Sequence, residues 1–228
     1  MPGAAMTLAP EGVRSMFDRI APVYDLMNRA MTAGLDLRWR RLAAVAAVRP
    51  GDRVLDAACG TGDLALADLR AGAGSVVGLD FSPRMLERAR RKGGAVEWME
   101  GDVLALPFAD GSFDAVTIGF GIRNVADLER GLRELRRVLA PGGRVAILEI
   151  TRPRGPLARP LSLWFERVVP RLGRLVPGGA AYSYLPASVA RFPAAEELAE
   201  LLARAGFAAV STRLLAGSIV SLHTGTAS

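Results

Sequence analysis

The 228-residue chain has very little of what builds covalent or metal scaffolds: one cysteine, Cys59, and one histidine, His223. A single thiol closes no intramolecular disulfide, and one thiol with one imidazole makes no Cys/His zinc cage, so both scaffold types are excluded. No uninterrupted apolar run reaches the ~18 residues of a spanning helix. The opening Met1-Pro2-Gly3-Ala4-Ala5-Met6 lacks the basic and apolar regions of a signal peptide, which makes the cytoplasm the expected compartment. Lysine is almost missing as well, since Lys92 stands alone among 29 basic residues, and this reads as GC-rich coding bias rather than selection for guanidinium chemistry. What is present suits a soluble globular domain: half the residues are apolar and 23% are charged.

A formal charge of +6 suggests nucleic acid, a membrane surface or an acidic ligand, and its distribution decides among them. Residues 1–50 carry seven Arg against four acids, residues 51–150 thirteen basic against fifteen acidic, and residues 151–228 nine Arg against four Glu. The excess lies in the flanks, while the middle is slightly acidic. No basic and aromatic tract resembles an RNA platform, so nucleic acid is not an expected partner.

The middle alternates apolar runs with helical patterns, which predicts a mostly parallel sheet with crossover helices. Strands are expected at Arg53–Ala57, Ser75–Asp80, Val96–Met99, Phe113–Ile118 and Val145–Ile150. Helices are expected from Thr61 to about Leu69, after Ser82 as N-cap with Pro83 at the first helical position, and through Leu128, Leu132, Leu135 and Leu139 until Pro141-Gly142-Gly143 breaks the last one. Residues 11–48 and 193–206 read as helical, with Gly206 as a C-cap. The runs 207–215 and 217–222 read as a final antiparallel pair at the sheet edge. The expectation is one α/β domain over residues 1–228 with a doubly wound, seven-stranded sheet. Within it, 1–50 would form a helical lid, 51–150 the ligand-binding core, 151–190 an insertion and 191–228 the closing helix and strand pair.

Between the first strand and its helix stands Asp56-Ala57-Ala58-Cys59-Gly60-Thr61-Gly62-Asp63-Leu64-Ala65. Glycines there let a backbone approach a ligand at the carboxyl end of a sheet. The looser dinucleotide pattern is met, but carboxylates at Asp56 and Asp63 would repel a pyrophosphate and welcome a cation. S-adenosylmethionine carries a sulfonium and an ammonium, and its ribose diol calls for an acid after the second strand, where Asp80 stands. Asp102 follows the third strand. Cys59 has no neighbouring histidine in sequence and is expected to pack rather than react.

These residues, taken with others, resemble the quinone-pathway C-methyltransferases, which methylate demethylmenaquinol or the corresponding ubiquinone precursor. The first signature of that family is matched by Tyr24-Asp25-Leu26-Met27-Asn28 and closes at Trp39; the second is matched from Arg137 to Arg144 and runs to Glu149. Leu106-Pro107-Phe108, Gly119 to Val125, Tyr182 to Leu185, Ala205-Gly206-Phe207 and Leu222-His223 extend the likeness over nearly the whole chain. It implies a class I methyltransferase fold, S-adenosylmethionine as cofactor and no metal. It also implies that Thr61, Asp80, Asp102 and Val103 bind the cofactor; with Asp56, Gly60 and Gly62 of the turn, Phe81, and Gly119 where some members have Ser, they make the expected cofactor site. Thr32 and Asp36 stand where the family usually has Ser and His, so a role given to that histidine would pass to a carboxylate.

Methyl transfer to a ring carbon needs an acceptor oxygen deprotonated or strongly hydrogen-bonded, which makes the reduced quinol the reactive form. Arg123 and Asn124, after the fourth strand, are expected to orient that oxygen or a water, with Tyr24 and Asp25 completing the site if the N-terminal helices close over it. His223 is a candidate base or a core histidine. The acceptor is a lipid-soluble quinol, so the arginine-rich segment 152–174, with Leu161, Trp164, Phe165, Val168, Val169, Leu172 and Leu175, is expected either to touch the inner membrane face or to cover the pocket. Pro170 would kink it. The naphthoquinol and benzoquinol branches both stay open, as do a small-molecule O- or N-methyltransferase and a non-catalytic cofactor-binding scaffold; Asp36 and the compact length favour menaquinone.

Overall fold

The computed structural model describes residues 9–155, 158–169, 171 and 181–228. Three helices lead the chain: α1 (Pro10–Ile20), α2 (Tyr24–Thr32) and α3 (Leu35–Ala47). The sheet then builds as β1 (Arg53–Ala57), α4 (Asp63–Arg70), β2 (Ser75–Asp80), α5 (Pro83–Arg91), β3 (Val96–Glu100), β4 (Phe113–Gly119), α6 (Leu128–Arg137) and β5 (Leu139–Ile150). After α7 (Ala158–Leu163) and a π-helical turn (Trp164–Val168) come α8 (Ala181–Arg191), α9 (Ala195–Arg204), β6 (Phe207–Leu215) and β7 (Val220–Ala227).

The seven strands run in the order β3-β2-β1-β4-β5-β7-β6. Strands β1 to β5 are parallel and β7 is antiparallel to both β5 and β6, which bears out the expected edge pair. The strand order reverses between β1 and β4, and in open α/β sheets that switch point opens a crevice for ligands at the carboxyl ends. Successive side chains face opposite ways. Leu55, Val116, Ile118 and Ile147 therefore pack under Leu132 and Leu135 of α6 and Leu198 and Leu202 of α9. Their neighbours Val54, Ala115, Ala146 and Leu148 pack against Ala43, Ala44 and Ala47 of α3 and Leu64 and Ala65 of α4.

Local chemistry sets the helix starts. Ser82 Oγ accepts the Met85 N–H at 3.1 Å with Pro83 at the first helical position, and Asp127 Oδ1 accepts the Arg130 N–H at 2.9 Å to start α6. Several boundaries differ from expectation, among them the last strand, which runs Val220–Ala227 where 217–222 was expected. Helix α4 begins at Asp63 rather than Thr61, because Gly60 and Gly62 hold left-handed φ values of 55° and 84°. Strand β5 starts at Leu139, six residues early: Leu139 pairs with Phe113, and Pro141-Gly142-Gly143 makes a register shift inside the strand instead of separating a helix from it. Of the arginine-rich segment, Pro170, Leu172, Arg174 and Leu175 lie outside the described residues.

Candidate active site

The crevice at the switch point holds two adjoining cavities that share Ala58, Asp80, Phe81, Gly121 and Asn124. Asp56, Gly60, Thr61 and Gly119 lie at one end; Asp102 and Val103 lie at the other. The three strand-end acids thus line one elongated cleft in the order Asp56, Asp80, Asp102. Each is held differently. Asp56 is fully buried, and among the described residues neither of its oxygens has a hydrogen-bond partner of good geometry. Burial and then the neighbouring Asp68 push its pKa well above the ordinary carboxyl value, which the Ala65 N–H offsets only in part. Asp80 accepts the Gly60 N–H at 2.7 Å and the Ser82 N–H at 2.9 Å; burial nevertheless raises its pKa to about 6. Asp102 accepts the Leu104 N–H at 2.9 Å and so also caps its own turn.

The glycine turn divides its labour. Above Gly60 there is open space for a ligand, whereas a Cβ on Gly62 would meet the Trp98 ring at 2.4 Å. Gly62 is therefore a packing residue and does not line the cleft. Two non-glycine residues in the cleft wall, Ala58 (φ 55°) and Phe120 (φ 61°), hold left-handed backbone, the kind of local strain that concentrates at functional sites. Neither was marked by the sequence. Cys59 is buried, its thiol pKa pushed well up by burial and by Asp80 and Asp56, as a packing role requires.

Asp63 departs from the expected cation site. Its carboxylate accepts from Lys92 Nζ at 2.6 Å and Arg29 Nη2 at 2.8 Å; these bonds hold its pKa low against the burial that would raise it. Thr61 Oγ1 donates to Asp25 Oδ1 at 2.6 Å and accepts from Lys92 Nζ at 3.1 Å. A polar cluster of Asp25, Arg29, Thr61, Asp63 and Lys92 therefore ties α2 to the glycine turn. Asp18 of α1 makes a second tie, accepting the Ser82 hydroxyl at 2.6 Å.

A third cavity adjoins the first through Phe17, Tyr24, Arg40, Phe120 and Asn124. Met16, Ile20, Met31, Trp39 and Leu185 make its apolar walls, and Asn28 and Arg123 add polar groups. The two cavities enclose about 750 and 550 Å³, part of it open to solvent, in the ~300–1,000 Å³ range of small-molecule sites. At their junction both side-chain polar atoms of Asn124 are buried with no partner among the described residues. Native proteins rarely leave such atoms unpaired, so an orphaned amide facing a cavity is available to a water or a ligand there. Arg123 Nη1 donates to Glu149 Oε1 at 2.7 Å and to the Phe120 carbonyl at 2.6 Å, while its Nε has no partner among the described residues. Tyr24 has its hydroxyl pKa raised by burial, with Arg40, Arg123 and a hydrogen bond from Asn28 opposing. Asp36 is buried on Arg40 Nη1 at 2.6 Å and Thr32 Oγ1 at 3.1 Å, which makes it the anchor of Arg40 over the Phe120 ring.

The structure brings Tyr24, Arg123 and Asn124 together and leaves His223 out. His223 is fully buried on the sheet face covered by α9, its Nε2 is 2.8 Å from the Ala195 carbonyl, and it is absent from the cleft walls. Burial lowers its pKa. It sits as the core histidine of the two readings.

This sheet order, with an acid near the end of each of the first three strands and a glycine turn at the switch point, defines a class I S-adenosylmethionine-dependent methyltransferase. The model of the ubiE/COQ5 methyltransferase family matches residues 5–227, and the chain belongs to that family. It is 51% identical over 218 residues to the demethylmenaquinone methyltransferase of Thermus thermophilus, covering 92% of this chain and 99% of that one. It is 49% identical over 205 residues to the demethylmenaquinone methyltransferase of Deinococcus radiodurans, covering 86% and 85%. Among solved structures, a SAM-dependent methyltransferase of Thermotoga maritima, a possible histamine N-methyltransferase, is 25% identical with a TM-score of 0.66, covering 94% and 99%. Family and neighbours imply S-adenosylmethionine as methyl donor. The cleft fits it: an unpaired buried carboxylate suits a cationic end, and a second acid stands midway for a diol.

Proposed function

We propose that the protein methylates a ring carbon of demethylmenaquinol, giving menaquinol. The observation that carries this reading is the junction at Asn124, where an apolar pocket with a few polar groups opens onto the cofactor cleft. The names of the two relatives, at 51% and 49% identity, support the naphthoquinol branch. S-adenosylmethionine, when bound, supplies a methyl group activated by its sulfonium. Asp56 would face the cationic end, Asp80 the ribose hydroxyls, and Asp102 and Val103 the adenine, with Gly60, Thr61, Phe81 and Gly119 along the walls.

The protein's share of the chemistry is positioning and electrostatics. A hydroxyl of the reduced ring, held by the Asn124 amide, Tyr24 or Arg123, pushes electron density onto the neighbouring carbon as its proton is withdrawn. That carbon would accept the methyl group the cofactor supplies, and the hydroxyl and ring protons would pass to solvent, directly or through a water held at Asn124. The oxidised quinone has no such hydroxyl and should be inert. Arg123 keeps one fixed orientation because Glu149 is fully buried behind it. Labelled-methyl transfer tests the reading, with reduced demethylmenaquinol, the ubiquinone-precursor benzoquinol and soluble phenols or amines offered in parallel. Turnover of the naphthoquinol alone is expected, and cofactor binding without methylation of any quinol would favour the scaffold reading.

The acceptor's tail resides in a bilayer, so the reading includes a peripheral contact with an anionic membrane face. No helix among the described residues is long and apolar enough to cross a membrane. Exposed Leu163 and Trp164 beside exposed Arg159, Arg167 and Arg171 give the α7 region a surface suited to such lipid. Salt-sensitive flotation with anionic vesicles is expected, and absence of salt-sensitive binding to them would remove the contact.

A further inference from the structure

We propose that the acceptor's prenyl tail leaves the ring pocket between Ile150 and Ile219 and lies in a second cavity beneath α8. This inference rests on the quinol reading above and adds a subsite for hydrocarbon to it. Ile150, the last residue of β5, and Ile219, just before β7, line both cavities, so the two are neighbours through an aliphatic gap. The second cavity encloses about 940 Å³, part of it open to solvent, and is walled by Pro153, Ser162, Pro186 and Val189 among others. Pro186 has no N–H to leave unpaired against hydrocarbon. Arg152 also borders it, but its guanidinium is occupied by the Ala190 and Phe192 carbonyls at 2.8 and 3.3 Å and stays at an exposed rim.

A rival exit exists on the other side of the ring pocket, in a cavity bordered by Ile122, Leu128 and Ser188. It meets the ring pocket through Arg123, Asn124 and Tyr184. A hydrocarbon passing there would lie against the Asn124 amide and Arg123 Nε, which have no partner among the described residues, and would exclude both water and the ring oxygen these atoms need. The aliphatic gap carries no such penalty. It also leads to Ser162 on α7, next to the exposed Leu163 and Trp164, so a tail leaving this way emerges beside the surface best suited to lipid.

The experiment compares two reduced acceptors with the same ring, one carrying a polyprenyl tail and one without, on wild type and on Val189→Trp, Ser162→Trp and Leu128→Trp. Tryptophan at Val189 or Ser162 should raise KM for the tailed acceptor tenfold or more and move KM for the tail-less one less than threefold. Leu128→Trp should not discriminate. Ser162 is a half-buried position on a short helix, so it keeps the test alive if Val189→Trp fails to fold. Equal effects on both acceptors at Val189 and Ser162, or discrimination at Leu128 instead, would overturn the subsite while leaving the quinol reading intact. Absence of methylation of either acceptor by wild type would instead remove the quinol reading, and the subsite with it.

Discussion

Lys92 Nζ stands 2.7 Å from Asp25 Oδ2, so the one lysine of the chain joins the end of α5 to the first turn of α2. The same ammonium is 2.6 Å from Asp63, and Arg29 reaches Asp63 from α2 at 2.8 Å. Helix α2 carries Tyr24 and Asn28 into the ring pocket, so this cluster fixes the helix that walls the pocket.

Replacing Lys92 by Met should therefore loosen α2 more than the rest of the fold. The cluster is partly shielded, and losing one member should cost about 1–2 kcal/mol, between an exposed and a buried ion pair. For a chain of this size that is a fall of a few degrees in Tm. KM for the acceptor should rise several-fold and wild-type KM should climb with salt, since screening acts on the same contacts. A KM indifferent to both the substitution and salt would show that the cluster has no part in forming the site.

Asn124→Ala separates activity from stability. The amide makes no hydrogen bond within the described protein, so its removal takes away no intramolecular bond and relieves two buried, unpaired polar atoms. Thermal melting should show an unchanged or slightly higher Tm. Turnover should fall at least tenfold, because the group that faces the junction of both cavities is gone. A large loss of Tm would mean that Asn124 serves the fold.

His223→Gln should do the reverse. The imidazole is tied to the Ala195 carbonyl at the start of α9, so losing its shape should cost stability, about 1–2 kcal/mol. Turnover measured below the melting range should stay within about twofold of wild type, and the pH–rate profile should keep its shape. Loss of an inflection near neutral pH would restore His223 as a base.

The contrast between these residues shows what a sequence can convey. Asp56, Asp80 and Asp102 were legible because each stands next to a strand recognisable from its own apolar run, and topology alone brings strand ends together. The partners of Asp63 were not, since Arg29 and Lys92 arrive from 34 and 29 residues away and nothing local marks them as neighbours. Gly62 looked like a ligand contact because a glycine needed for a ligand and one needed for Trp98 read alike in sequence. The start of β5 was missed for a related reason: Pro-Gly-Gly breaks a helix and shapes a bulge with equal ease. His223 could be narrowed to two roles, and only the Ala195 carbonyl chooses between them.

Asp68 makes the pH dependence of stability predictable. It is fully buried in α4, accepts the Thr117 hydroxyl at 2.7 Å, and has its other oxygen unpartnered among the described residues. Thr117 is the cross-strand partner of Asp56, so the two carboxyls share one buried corner, with Arg40 and Asp80 also acting on Asp56. Burial raises the Asp68 pKa to about 8, the Thr117 bond opposing. Across the window from the ordinary carboxyl value of ~4 up to 8, the folded protein holds a proton that the unfolded chain has released. The contribution of Asp68 to stability then falls as pH rises through that window, by at most about 1.4 kcal/mol per pH unit, while His223, its pKa lowered by burial, works the opposite way below ~6.5. Asp80, raised to about 6 by burial, adds the same sign over the lower part of the range. Asn at position 68 keeps an oxygen for Thr117 and has no proton to lose. Asp68→Asn should therefore melt higher than wild type at pH 9, converge with it only near pH ~4, and leave a shallower Tm–pH curve between. Wild-type and Asp68→Asn Tm–pH curves that run parallel from pH 5 to pH 8 would place the proton elsewhere.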